Sequence, residues 1–114
     1  MSKFDEALET YKTALKDTLK ITNFDEEALK GIAKSLGPSI YNDDASLVSS
    51  SDKEELERVK KNFLIGKLEL ADSAELDSAI TEVITKFGSS NRNKYRAIFY
   101  YLLAEKFGKL GNYK

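Results

Sequence analysis

Residues 72–88 read DSAELDSAITEVITKFG, and the fold class turns on them. Leu76, Ala79, Ile80, Val83, Ile84 and Phe87 recur at spacings that gather them on one face of an α-helix. Asp72 and Glu75 have the three-residue spacing of a capping pair and predict the start of that helix, while Gly88 predicts its end. Ser89, Ser90 and Asn91 follow, all suited to cap a last helix that is expected to run to about Phe107 and stop at Gly108. Within it, the stretch Ala97 to Ala104 is apolar or aromatic all round, the pattern of a helix buried on more than one side. Tyr95, Ile98, Phe99 and Leu102 share the face assigned to the core. Tyr100 and Tyr101 cannot both lie on it, so one of them is expected at the surface or at a subunit contact.

The same periodicity extends toward the N-terminus. Ser51 with Glu54 predicts a capping box ahead of a helix that buries Leu56, Val59, Phe63 and Leu64 and ends at Gly66 or at Leu68. Residues 39–50 are the least regular: Asn42, Asp43, Asp44 and Ser46 are turn formers, and Ile40, Tyr41, Leu47 and Val48 are expected to touch the core. Before them, Leu29, Ile32, Ala33 and Leu36 mark a helix with Asp25, Glu26 and Glu27 in its first turn, where negative charge suits the helix dipole. Gly37-Pro38 stops it. Phe4, Leu8, Tyr11, Leu15 and Leu19 give the first helix, with Ser2 as its N-cap. The sequence therefore predicts an all-α fold, a compact bundle of about five helices with a buried C-terminal helix, in a single domain spanning residues 1–114.

Composition bounds the chemistry. A chain of 114 residues suits one domain and buries roughly two-thirds of its unfolded surface. With 41% hydrophobic residues and a net charge of −1 it does not have the composition of a disordered chain. It has neither Cys nor His, which excludes disulfides, thiolate and imidazole catalysis and most zinc sites. Asp43, Asp44 and Asp52 do not have the spacing of a calcium-binding loop, so no metal and no cofactor is expected. Met1 to Glu6 is acidic and amphipathic, unlike a signal peptide, and the longest uncharged apolar run falls far short of the roughly 20 residues that cross a bilayer. A cytoplasmic location with no membrane partner is the expectation.

The net charge hides a division. Residues 1–85 hold eleven Lys and Arg against eighteen acids, a balance of −7; residues 86–114 hold seven against the single acid Glu105, a balance of +6. Either the basic segment docks on the acidic remainder of its own chain, or it offers a basic surface to an anionic partner. The second reading has a candidate place. Ser89, Ser90, Asn91, Arg92 and Arg96 combine neutral donors and cations at an expected helix N-terminus, where free N–H groups and the dipole favour anions. Arg92 and Arg96 are four apart and share a face, and Lys94 points away. The segment lacks the glycine framework of a P-loop. The competing reading gives the serines and Asn91 to capping and the cations to acidic neighbours.

Other constellations are weaker. Basic residues near Tyr95, Phe99, Tyr100, Tyr101 and Phe107 could stack on a single strand, but aromatics at helical spacing belong first to a core, and nucleic acid is not the expected partner. Asp, Glu, Lys and Tyr are abundant, yet no pair is marked as an acid and a base, so no catalytic residue is assigned and enzymatic activity is not expected. Glu105 is expected to pair with Lys109 at i+4.

Three blocks carry a resemblance: Gly37-Pro38-Ser39-Ile40-Tyr41-Asn42; Glu55-Leu56-Glu57-Arg58-Val59 with Asn62-Phe63-Leu64; and Gly88 to Arg96 with Phe99-Tyr100-Tyr101-Leu102-Leu103. With them the chain resembles, over nearly its whole length, a family of short bacterial proteins known only as a domain of unknown function. The resemblance implies an all-helical bacterial cytoplasmic protein and carries no catalytic residue, cofactor or partner. The function expected from the residues is that of a small binding or interaction protein using residues 89–96, for an anionic or protein partner. The alternative is a structural or homo-oligomeric protein without a ligand, monomer or homodimer, and an enzyme comes third.

Overall fold

Five α-helices carry the described part of the chain: α1 (Lys3–Asp17), α2 (Glu26–Leu36), α3 (Lys53–Arg58), α4 (Ala74–Phe87) and α5 (Arg96–Lys106). This computed structural model describes residues 3–17, 19–41, 46–49, 51–88 and 94–113. Short 3₁₀ turns follow α2, at Gly37–Tyr41, and α5, at Leu110–Tyr113, and α3 runs directly into a π-helical segment, Val59–Ile65. Among the described residues there is no β-strand, only an isolated bridge between Leu47 and Tyr95. The all-α expectation holds.

The helix starts follow capping chemistry with shifts from the predicted positions. Asp25 stands just outside α2 and its carboxylate accepts from the Ala28 N–H at 3.1 Å, so it caps the helix from the N-cap position. Asp52, not Ser51, caps α3: its backbone is extended, and its Oδ1 accepts from the N–H groups of Glu54 at 3.0 Å and Glu55 at 3.4 Å. A carboxylate one residue nearer the helix reaches those N–H groups and also complements the dipole, which a serine hydroxyl does less well. Asp72 does not cap α4 either. Ser73 occupies the N-cap position without a side-chain cap bond, while the Asp72 carboxylate turns to Lys60 at 3.1 Å. Lys60 also meets Asp77 at 3.2 Å, so Asp72 joins the π segment to the start of α4.

The helix ends are more local. Gly37 closes α2 with φ of +64°, a region where a Cβ is strained, and its N–H donates to Lys34 O. Gly88 donates to the carbonyls of Ile84 and Thr85 and closes α4 as predicted. The π segment ends at Ile65, and Leu68 lies beyond it yet is buried. Bonds of the i→i+5 type let positions four and five apart share a face, which brings Val59, Phe63, Leu64 and Leu68 together in the core.

The centre belongs to α5. Ala97, Ile98, Phe99, Tyr101, Leu102, Leu103 and Ala104 are all buried, as the apolar stretch predicts. Around it pack α2, α4, α1 and the π segment through Leu29, Ile32, Val83, Phe87, Leu15 and Leu64. Phe99 stacks on Phe87 with centroids 6.1 Å apart. Tyr101 is the inward member of the tyrosine pair: its hydroxyl accepts from the Asp25 N–H at 2.8 Å, tying α5 to the cap of α2. Glu105 receives the Tyr101 hydroxyl at 3.5 Å, one turn earlier on the same face, rather than pairing with Lys109, because α5 ends at Lys106 and the i+4 spacing does not carry past Gly108. Tyr41, expected against the core, is instead 46% exposed. The 3₁₀ turn that carries it buries Ile40, and the next residue points outward.

Candidate functional site

The start of α5 is where the sequence places its candidate site, and the structure corrects the position of that start. The helix begins at Arg96, with Tyr95 in the N-cap position and no side-chain cap bond. Ser89, Ser90 and Asn91 are therefore not its N-cap residues, lying four to six positions before the N-cap position at Tyr95. The reason is tertiary. Residues 46–48 lie antiparallel to 94–96: Val48 N–H donates to Lys94 O at 2.8 Å, and Arg96 N–H donates to Ser46 O at 2.7 Å. Extended pairing holds Lys94 and Tyr95 out of the helix and satisfies one of the N–H groups a helix start otherwise leaves open.

Arg96 fills the corner this pairing creates. Its guanidinium donates to Tyr100 Oη and to Leu47 O, each at 3.2 Å, and forms an ion pair with Glu55 of α3. It also lies 5.8 Å from the Tyr100 ring centroid. Both charged side chains are largely covered, 17% exposed for Arg96 and 13% for Glu55. Glu55 takes a second cation, Arg58, at 3.0 Å. Burial pushes the Glu55 carboxyl up, but hydrogen bonds from Arg58 and Arg96 outweigh it and hold the group below the ordinary carboxylate range. Burial works against the Arg96 charge, and the hydrogen bonds to Tyr100 and Glu55 restore it and raise its pKa.

Of the other expected site residues, Ser89, Ser90, Asn91 and Arg92 lie outside the described residues. Lys94 stands in the extended pairing rather than on a helix, so the helical spacing that set it apart from Arg96 does not apply; it is buried, only 3% exposed, and burial lowers the pKa of its ammonium. The two described cations of this segment thus separate into one buried, Lys94, and one engaged by an acid of the same chain, Arg96. Lys106 shows the second behaviour again, pairing with Glu82 of α4.

The aromatic cluster packs inward. Tyr95 meets Tyr11 with centroids 5.4 Å apart; the Tyr11 hydroxyl, desolvated and close to Tyr95 and Tyr41, is pushed up to about 12. Tyr100 stacks on Phe63 at 4.1 Å and 15°. These ring faces are occupied by other rings, which removes them as stacking platforms for bases.

Sequence reasoning missed a groove between α3 and α4, about 340 Å³, lined by Lys53, Leu56, Glu57, Asp77, Ile80 and Thr81. Its floor is apolar and its rim carries both signs of charge, and its two walls stand some twenty positions apart in the chain. Among the described residues no group of three or more carboxylates is placed to hold a metal ion, and no helix is long and apolar enough to cross a membrane.

Comparison with known families gives a match to a family described as "Protein of unknown function (DUF2853)", over residues 10–111. No curated protein matches the chain.

Proposed function

We propose that this chain, which belongs to the DUF2853 family of unknown function, works as a small binding or interaction protein that takes an anionic group of its partner at residues 89–92. One observation supports this reading above others. Arg96 is fixed to Glu55, Leu47 and Tyr100, so the downstream end of the segment between α4 and α5 is anchored on a packed scaffold. Short segments held by rigid elements are where proteins place binding groups. Arg92 then supplies the charge, with Ser89, Ser90 and Asn91 as neutral donors, and Arg96 serves as the anchor. A bacterial, cytoplasmic setting is part of the same proposal and rests on the family resemblance.

A second reading has its own support. The pairs Arg96–Glu55 and Lys106–Glu82 neutralise part of the basic segment inside the chain, as a structural protein without a ligand would have it. Titration with inorganic phosphate, followed by amide chemical shifts, separates the two. The binding reading expects shifts around residues 89–92 that shrink as salt rises and vanish in Arg92→Ala, with thermal stability unchanged. Loss of stability in Arg92→Ala without any phosphate response would leave the structural reading.

A further inference from the structure

Three tyrosines from distant parts of the chain meet beside the entry to α5. Tyr11 comes from α1, Tyr41 ends the 3₁₀ turn after α2, and Tyr95 stands just before Arg96. The Tyr11 and Tyr95 rings lie 5.4 Å apart between centroids and are tilted by 59°. The Tyr11 hydroxyl is close enough to both other phenols for each to oppose its ionisation. Tyr11 is only 2% exposed, yet among the described residues its hydroxyl has no hydrogen-bond partner. Every side-chain polar atom sealed from solvent among those residues does have one. The Tyr11 hydroxyl therefore ends at an opening and not in the core. The hydroxyls of Tyr41 and Tyr95 also bond no described group. A phenol hydroxyl both donates and accepts, so the three could bond one another, but no such bond joins them.

Three donors left open at one place suit an acceptor from outside the chain. Burial and the two neighbouring phenols push the Tyr11 hydroxyl up to about 12, so it keeps its proton and donates throughout the biological pH range. Arg92 stands three residues before Tyr95, so in any conformation its Cα stays within roughly 11 Å of the Tyr95 Cα. The charge assigned to Arg92 and the three hydroxyls can thus serve one ligand. A phosphate group presents three acceptor oxygens around one centre, whereas a carboxylate presents two in a plane. We propose that the hydroxyls of Tyr11, Tyr41 and Tyr95 are the neutral half of the anion site and that the group it takes is a phosphate rather than a carboxylate. This inference rests on the anion-binding reading of residues 89–92 and names the ligand of that site.

The test titrates the full chain with inorganic phosphate, with O-phosphoserine and with acetate, and follows amide shifts at Tyr11, Tyr41 and Tyr95. Both phosphates should bind about tenfold or more tightly than acetate, and the tighter of the two tells a free ion from an ester. Tyr11→Phe removes one oxygen and should weaken phosphate binding about tenfold. Its thermal midpoint should not fall, because that hydroxyl bonds nothing in the fold. Tyr41→Phe, at an exposed position, should weaken binding by a similar factor with the fold intact. Phosphate affinity unchanged in both variants overturns the inference, as does acetate binding as tightly as phosphate. A loss of thermal stability in Tyr11→Phe assigns its hydroxyl to the fold and overturns it too. If Arg92→Ala still abolishes binding in those cases, the reading of residues 89–92 stands without the tyrosines. If Tyr11→Phe weakens binding and Arg92→Ala does not, the hydroxyl site stands and that reading falls. A parent chain that phosphate does not shift removes both.

Discussion

Helices α4 and α5 are neighbours in the chain and pack on each other, yet they are specified in different ways. The buried stripe and glycine end of α4 are written in its own seventeen-residue stretch, and one of its sides faces water. In α5, seven of eleven residues are buried and the start is fixed by residues far away in sequence, Ser46, Leu47 and Glu55. An amphipathic helix needs one partner surface, and its periodicity announces where that is. A helix enclosed on several sides carries little periodicity, so its limits come from whatever encloses it.

The largest effect should come from the enclosed helix. Phe99→Ala in α5 should cost about 3–5 kcal/mol in chemical unfolding, the range for deleting a fully buried ring. Thr81→Ala on the exposed side of α4 should stay within about 0.5 kcal/mol. Comparable losses at both positions would break the contrast.

The next effect tests the distant anchor. Glu55→Gln leaves the largely covered Arg96 guanidinium without its counter-charge and should cost roughly 2–3 kcal/mol, less than the loss at a fully buried pair because water still reaches both groups. Amide exchange should quicken at Val48 and Arg96, whose N–H groups join the two segments there. The pH dependence has a definite sign. The folded-state pKa of Glu55 is depressed, so its stabilisation is fully present above the ordinary carboxylate value and is lost as pH falls through the folded value. In Glu55→Gln that part of the acid sensitivity should disappear; an unchanged acid limb in thermal melts would remove Glu55 as its source.

The smallest effect sharpens the question of where a helix starts. Asp52→Ala should destabilise by about 1 kcal/mol through loss of the α3 cap, while Ser51→Ala should be close to neutral. The reverse order would return the cap to Ser51.

These comparisons show which parts were legible. The stripes of α1, α2 and α4 could be read because apolar spacing reports a buried face directly, and Phe99 was identified as core for the same reason. The caps of α3 and α4 were legible in kind and misplaced by one residue: Ser51 beside Asp52 and Asp72 beside Ser73 are all capping types, and only backbone angles choose among them. The π segment after Arg58 has no such signature, since i→i+4 and i→i+5 bonding bury nearly the same positions. In the candidate site, Arg96 could be named from sequence as a charge of interest, but its partner Glu55 lies forty-one positions away.

By itself, then, the sequence determined an all-helical chain, the glycine ends of α2 and α4, the central place of α5 and the absence of thiol and imidazole chemistry. Tertiary structure decided the rest: the late start of α5, the burial of Lys94, the union of Arg96 with Glu55, and the burial of Tyr101 rather than Tyr100. The division has a physical cause. Periodicity and capping act over three or four residues and leave their record in adjacent letters, whereas ion pairs and backbone contacts between distant segments depend on how finished helices meet.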